Sequence, residues 1–258
     1  MTQYSAFAKV NIFLKITGKR GDYHTISSRF MRVNTLYDTL WFEEKEAVDF
    51  ELRGSFTCQT KDNTIYKAYE SLLQTTQSKE LLAWMQTHAI CVDKKIPSFA
   101  GLGGGSSDAA TYLHMCNDTL TLGLTHDELA CIGATVGADV PFFVYGYESA
   151  NVSGIGEIVK PFSESLLEFE INTQNIQIST PSVYNYYRQH LYSPISPQDM
   201  QELEATPSRD ILANMNPKEA NDLYLSALGC YSELNEQDGW FFSGSGSSFF
   251  RLKEDTNG

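Results

Sequence analysis

The chain has 258 residues, 42% hydrophobic and 20% charged, enough to bury a core in one large domain or two smaller ones without disulfides or structural metals. Nineteen Lys and Arg against 32 Asp and Glu give a formal net charge of −13, which opposes nucleic acid and anionic membranes as partners. Five cysteines (Cys58, Cys91, Cys116, Cys131, Cys230) form no Cys-x-x-Cys, and no signal-peptide core or membrane-length apolar run occurs, so reduced, mostly buried thiols in a cytoplasmic protein are expected.

Phe7 to Ile16 alternates loosely and ends at Thr17-Gly18, which predicts a strand. Lys9 lies inside it, where an outward-facing lysine is the ordinary explanation. Further strands are expected over Asp38 to Trp41, Phe50 to Leu52 and Ala89 to Ile96, the last stopped by Pro97. Asn63 is placed to cap a helix carrying Ile65, Ala68, Tyr69, Leu72 and Leu73 on one face. A second helix opens at Ser107 or Asp108 and continues to Cys116. Thr125 and Glu128 form a capping box before Leu129, Ile132 and Val136, with Gly137 at the C-terminal cap. Asp139 follows, and as a structural residue it would cap the next turn, with Pro141 just inside it.

After Gly146 the glycine and serine content rises, and a domain boundary is placed between residues 149 and 150. Beyond it, strands are expected near Leu167 to Ile171 and Gln177 to Ser179, and a helix over Pro217 to Leu228. Two apolar runs, Trp240 to Phe242 and Ser248 to Leu252, flank Gly244-Ser245-Gly246, the chemistry of a hairpin loop. Strands and helices mix without a βαβ alternation, which predicts an α+β fold in two lobes.

The segment Gly101-Leu102-Gly103-Gly104-Gly105-Ser106-Ser107, between a predicted strand and a predicted helix, carries the most chemistry. Four glycines in five positions let a backbone approach phosphate oxygens closely, and the helix start adds unpaired N–H groups. A flexible turn with Ser107 as N-cap is the alternative, at a large cost in conformational entropy. The loop lacks the Gly-Lys-Ser/Thr ending of a Walker A motif. It also fails the dinucleotide fingerprint, since Ser106 stands at the third glycine.

Ile96-Pro97-Ser98-Phe99-Ala100 followed by that loop and Asp108-Ala109-Ala110 resembles the central motif of the GHMP kinases, named for galactose, homoserine, mevalonate and phosphomevalonate. Triple glycine before Ser-Ser-Asp-Ala-Ala is most similar to the branch that acts on 4-diphosphocytidyl-2-C-methyl-D-erythritol. Ser5 to Leu14 resembles the family's P-A-K-x-N-x-x-L, and Gly137-Ala138-Asp139-Val140-Pro141-Phe142-Phe143 matches G-A-D-V-P-F-F without a gap. Gly244 to Ser248 resembles the third family motif, and Asn221-Asp222-Leu223 a helix element that reads as packing.

The resemblance implies a ribosomal-S5-like N-terminal lobe (1–149) and a ferredoxin-like C-terminal lobe (150–258), with the active site between them. It implies transfer of the γ-phosphoryl of ATP to the substrate's 2-hydroxyl, with Lys9 and Asp139 beside that hydroxyl. Pro97, Ser98, Phe99, Ala100, Gly101, Leu102, Gly103, Gly104, Gly105, Ser106 and Ser107 would hold ATP. Asn63 would lie near the adenine, and Lys95 either reaches the nucleotide or is simply solvated. Tyr23, His24 and Tyr184 would hold a cytosine, with Tyr184 on its other face, Thr180 close by and Asn11 near the substrate. Gly21-Asp22 reverses the family's Asp-Gly order in that loop. Mg2+ is expected with ATP, its protein ligand being open between Ser106, Asp108 and none. The expected partner is a small molecule with a cytidine diphosphate moiety, and the protein is expected to be a monomer or weak homodimer.

Overall fold

The computed structural model describes residues 2–46 and 48–253. Its strands are β1 (Tyr4–Arg20), β2 (Tyr23–Glu44), β3 (Leu52–Arg53), β4 (His88–Asp93), β5 (Ser149–Gly154), β6 (Ile158–Pro161), β7 (Phe169–Thr173), β8 (Phe241–Phe242) and β9 (Ser248–Leu252). The helices are α1 (Thr64–Thr76), α2 (Lys79–Thr87), α3 (Gly104–Leu120), α4 (His126–Val136), α5 (Val140–Tyr145), α6 (Thr180–Tyr186), α7 (Pro197–Ala205), α8 (Ser208–Asn214), α9 (Pro217–Ala220) and α10 (Tyr224–Cys230).

Packing groups these elements into two units. The first holds residues up to Ala8, Leu36–Ile96 and Gly103–Gly146; the second holds Lys9–Thr35, Pro97–Leu102 and the chain from Tyr147. This grouping differs from a single cut at residue 149/150, because Lys9–Thr35 and Pro97–Leu102 pack with the later chain. The switch after Gly146 does fall where glycine and serine become frequent.

In the first unit, the second half of β2 pairs antiparallel with β4, from Thr39 opposite Asp93 to Glu44 opposite His88. The short β3 runs parallel to β4. Helices α1, α3, α4 and α5 pack together around Leu40, Leu72, Tyr112, Leu113 and Val140. Helix α1 buries Ile65, Ala68 and Leu72, the face its spacing marks out, and Asn63 caps it by accepting from Ile65 N at 2.9 Å. The Thr125–Glu128 capping box forms as the sequence indicates. A Cβ on Gly133 would come 2.6 Å from Val140 Cγ1, so α4 and α5 approach at a glycine.

In the second unit, the first half of β2 pairs antiparallel with β5, from Ile26 opposite Gly154 to Met31 opposite Ser149. A separate antiparallel sheet has the order β7-β9-β8. Its core includes Ile16, Val183, Leu223, Tyr224, Phe242 and Phe249. Arg29 is wholly buried, bonded to Asn151, Glu164, Ser208 and the Glu204 carbonyl, with the centre of the Phe162 ring 3.4 Å from its guanidinium carbon. Burial lowers its pKa and Glu164 raises it; a guanidinium in that balance remains charged.

Several expectations need correction. Gln177–Ser179 is not a strand: Ile176 N bonds Gln174 O at 2.8 Å, turning the chain, and Ser179 then stands at the N-cap position of α6. The helix expected over Pro217–Leu228 is broken at Asn221–Leu223. There the Asn221 side chain accepts from Leu223 N at 2.9 Å and donates to Phe242 O and Gly244 O at 2.9 and 2.8 Å. Strand β4 stops at Asp93 rather than Ile96, and the helix after the glycine loop starts at Gly104 rather than at Ser107 or Asp108. The thiols are all free, but only Cys91 and Cys116 are buried, while Cys58 and Cys131 are exposed.

Candidate active site

The glycine loop divides chemically at Gly103. That residue has φ +73° and is the N-cap of α3, and the first bond of the helix runs from Ser107 N to Gly103 O at 2.9 Å. The amides of Gly104, Gly105 and Ser106 therefore have no acceptor within the helix, and they stand at its positive end. Gly105 is exposed and Gly104 partly so, as a backbone that must meet a ligand requires. Thr64 Oγ1 donates to Gly105 O at 2.6 Å, which brings the start of α1, and with it Asn63, to the loop. A Cβ on Gly137 would lie 3.7 Å from Ser106 Oγ, so the turn before α5 also abuts the start of α3.

Asp139 sits on that turn, half-buried, at the N-cap position of α5. Its side chain makes no capping hydrogen bond, so the structural explanation for an aspartate here is not the one its position suggests. Lys95 pairs with Asp93 at 3.3 Å, both side chains being more than half exposed, and lies 5.8 Å from the Tyr37 ring centre. Lys94, its neighbour, is the cation turned inward. It bonds Asp38 and, at 2.6 Å, Asp108 Oδ2. Burial above all, with Asp38 adding to it against the pull of Lys94, pushes Asp108 up to about 7.

Within the second unit, Lys9 is buried rather than outward-facing. Its ammonium donates to Asn11 Oδ1 at 2.6 Å and to Gly101 O at 3.1 Å, and stands 4.5 Å from the Phe30 ring centre. Asn11 Nδ2 donates to Ser28 Oγ at 3.0 Å, which fixes the amide with its oxygen toward Lys9. Ser243 Oγ also donates to Gly101 O, at 3.0 Å, and Ser248 N to Ala100 O at 3.1 Å. Gly101, at φ +75°, and Gly246 face each other so closely that a Cβ on either would overlap the other's backbone. The hairpin Ser243–Ser248 and the first half of the glycine loop are thus one packed backbone layer, tied by Asn221 to α9. Phe99, half-exposed with φ +59°, holds a conformation that bulky residues rarely adopt.

Of the residues expected to hold a cytosine, His24 and Tyr184 lie together in this unit, in an arrangement the sequence does not specify. His24 and Tyr184 stack on each other, with centroids 5.4 Å apart and planes at 28°. A base between two rings needs about 7 Å, so it cannot sit between these two as they stand. His24 is also edge-on to Tyr187 at 6.1 Å, and its Nε2 is buried without a hydrogen-bond partner. Burial, then Arg188 and Lys19, lowers its pKa, which leaves a neutral imidazole able to donate or accept at a base edge. Tyr23 is 66% exposed. Thr180 Oγ1 and Ser245 Oγ are 2.7 Å apart, joining the start of α6 to the hairpin.

Within the first unit, the loose amides at the start of α3 suit a phosphate ligand. The comparisons with known proteins show which family the chain falls in. The family model described as the GHMP kinases N terminal domain matches residues 63–147. The 4-diphosphocytidyl-2-C-methyl-D-erythritol kinase of Sulfurimonas denitrificans is 56% identical, covering 100% of this chain and 99% of that protein. The chain belongs to this kinase family. The kinase of the same name from Sulfurovum sp. is 46% identical over 98% of this chain and 100% of its own length. The crystal structure of a 4-(cytidine 5'-diphospho)-2C-methyl-D-erythritol kinase, 29% identical, superposes with a TM-score of 0.73 over 98% of this chain and 90% of that one. The mevalonate kinase of Methanococcus jannaschii, 13% identical with a TM-score of 0.64, shares the mixed α/β fold.

Ser28, Thr64 and Lys94 escaped the sequence reading. Asn221 lay in a segment read as packing, and its role follows only from the helix break. Nothing in the local pattern distinguishes Lys94 from Lys95; the signal lies in Asp38 and Asp108, far away in sequence.

Proposed function

We propose that this chain transfers the γ-phosphoryl group of ATP to the 2-hydroxyl of 4-diphosphocytidyl-2-C-methyl-D-erythritol, a step of the non-mevalonate route to isoprenoid precursors. The observation that carries this is identity of 56% across the whole chain to a kinase of that name. In this reading Asp139 accepts or orients the hydroxyl proton, and the Lys9 ammonium stabilises the charge that develops. Positioning and electrostatics suffice for a loose phosphoryl-transfer transition state, so neither group need be a strong base or acid. Support comes from a Lys9 already desolvated and aimed by Asn11 and Gly101.

Pro97 to Ser107 hold the triphosphate, the α3 amides being the main donors, with Asn63 and Lys95 toward the nucleoside. Asn11, Tyr23, His24, Thr180 and Tyr184 hold the cytidylyl substrate. Tyr184 supplies a stacking face beside His24, whose unpartnered Nε2 reads the base edge. Among the described residues no group of three or more His, Cys, Asp and Glu could hold a metal ion. A Mg2+ ligated mainly by phosphate and water is proposed to accompany ATP; when bound it would neutralise phosphate oxygens. The lobes are proposed as an S5-like domain over 1–149 and a ferredoxin-like domain over 150–258. Among the described residues no helix is long and apolar enough to cross a membrane, and a cytoplasmic monomer or weak homodimer is proposed.

The test is coupled ADP release with a panel of acceptors: diphosphocytidyl-methylerythritol, mevalonate, phosphomevalonate, homoserine and galactose. Release with the cytidylyl compound alone is expected, and release with another acceptor would replace this substrate.

A further inference from the structure

The glycine loop leaves β4 at Asp93 and becomes α3 at Gly104, so the position of the α3 amides depends on how its two ends are held. A buried charge cluster holds them. Asp38, wholly buried on β2, accepts Lys95 N at 2.5 Å and Ile96 N at 2.8 Å with one oxygen, and Lys94 Nζ with the other. The same ammonium reaches across to Asp108 Oδ2, on the second turn of α3, at 2.6 Å. Above this link, a Cβ on Gly104 would come 2.8 Å from Ile96 Cγ2 and 3.6 Å from Lys94 Nζ. The exit of β4 is therefore stapled to the start of α3 at the base of the loop.

Stability is a poor explanation for this arrangement. Two carboxylates share one ammonium out of water, which generally stabilises no better than apolar side chains of similar volume. Asp108 Oδ1 is moreover buried with no hydrogen-bond partner, an uncompensated polar atom. What the cluster does supply is geometry: it fixes the backbone of residues 95 and 96 directly before Pro97 and sets their distance from the helix amides.

We infer that Asp38, Lys94 and Asp108 are positioning residues for the nucleotide, holding the glycine loop at the spacing that binds the ATP phosphates and having no part in acceptor binding. The inference rests on the reading above that this loop holds ATP. A preorganised loop binds its ligand without first meeting the ordering cost, so loosening the staple weakens ATP and leaves the acceptor's own contacts intact.

The experiment compares wild type, Lys94→Met, Lys94→Arg and Asp108→Asn, with KM for each substrate from ADP release and Kd for ATP from calorimetry. Lys94→Met should raise both the KM and the Kd for ATP tenfold or more, with the acceptor KM within twofold. Lys94→Arg, which can still span two carboxylates, should recover part of that loss. If Lys94→Met fails to fold, Asp108→Asn serves, with an expected rise of threefold or more in the same two quantities. ATP constants within twofold of wild type in a folded variant, or equal rises in both KM values, would overturn the inference. Wild type that binds ATP but phosphorylates no acceptor would sink the functional reading, and the Kd comparison would still decide the staple. Wild type that binds no ATP would overturn both.

Discussion

Gly246→Ala isolates the packed layer formed by the hairpin and the first half of the glycine loop. The added methyl would overlap Gly101 N and the Ala100 carbonyl carbon and stand 2.7 Å from Ala100 O, where ordinary contact begins at 3.4 Å. Relieving even the longest of the three contacts takes 0.7 Å, the difference of those two distances, and the other two need more. That movement strains the bonds to Ala100 O from Ser248 N (3.1 Å) and to Gly101 O from Ser243 Oγ (3.0 Å) and Lys9 Nζ (3.1 Å). At about 1 kcal/mol for each neutral bond and about 2 kcal/mol for the charged one, full loss costs about 4 kcal/mol, and partial relaxation leaves about 2–3 kcal/mol. A displacement approaching 1 Å beside the reacting groups should lower kcat/KM by about 100-fold. The assay is coupled ADP release, with thermal melting to confirm folding. Gly239→Ala is the control: its site is open, φ is +72°, and it should cost only about 1 kcal/mol of stability with normal turnover. Near-normal kinetics for Gly246→Ala would refute the claim that the hairpin and loop are held as one layer.

Asp139→Asn should reduce turnover by about 100-fold or more while ATP still binds in calorimetry; near-normal turnover removes Asp139 from the chemistry. Tyr184→Ala should raise the KM of the cytidylyl substrate about tenfold, from the loss of one stacking face; a raised ATP KM with the substrate KM unchanged would mean that the two pockets are exchanged. Asp108, folded at about 7 against an unfolded value of about 3.9, has a raised pKa. The stability it confers is therefore complete below about pH 4 and lost as pH rises toward 7. Asp108→Asn removes this slope, so its melting temperature should gain on wild type between pH 5 and pH 8, and parallel melting curves across that range would contradict the assignment.

How far the sequence led depended on whether the deciding contact was local. The α1 face and the Thr125–Glu128 box are written in residues within a few positions of one another, and they form as expected. Helix α3 begins at Gly104, ahead of the expected Ser107 or Asp108, because Gly103 takes the cap position itself. Periodicity alone cannot register the break after Ala220, since Asn221 leaves the helix to bond carbonyls 21 and 23 positions away. Lys9 looked like a solvent-facing lysine because nothing beside it discloses Asn11, Phe30 and Gly101 as its surroundings. The aromatic residues of the second unit were identifiable by resemblance, but the stacking of His24 directly on Tyr184 is a tertiary fact.

The central claim is that this chain moves one phosphoryl group from ATP onto a hydroxyl of the cytidylyl diphosphate substrate. Phosphorus NMR of the reaction tests it most directly, because every phosphorus is followed at once. The account requires one new phosphomonoester resonance, growing in step with ADP while the substrate's diphosphate resonances persist. Inorganic phosphate in place of that monoester, or an unchanged spectrum, would contradict it.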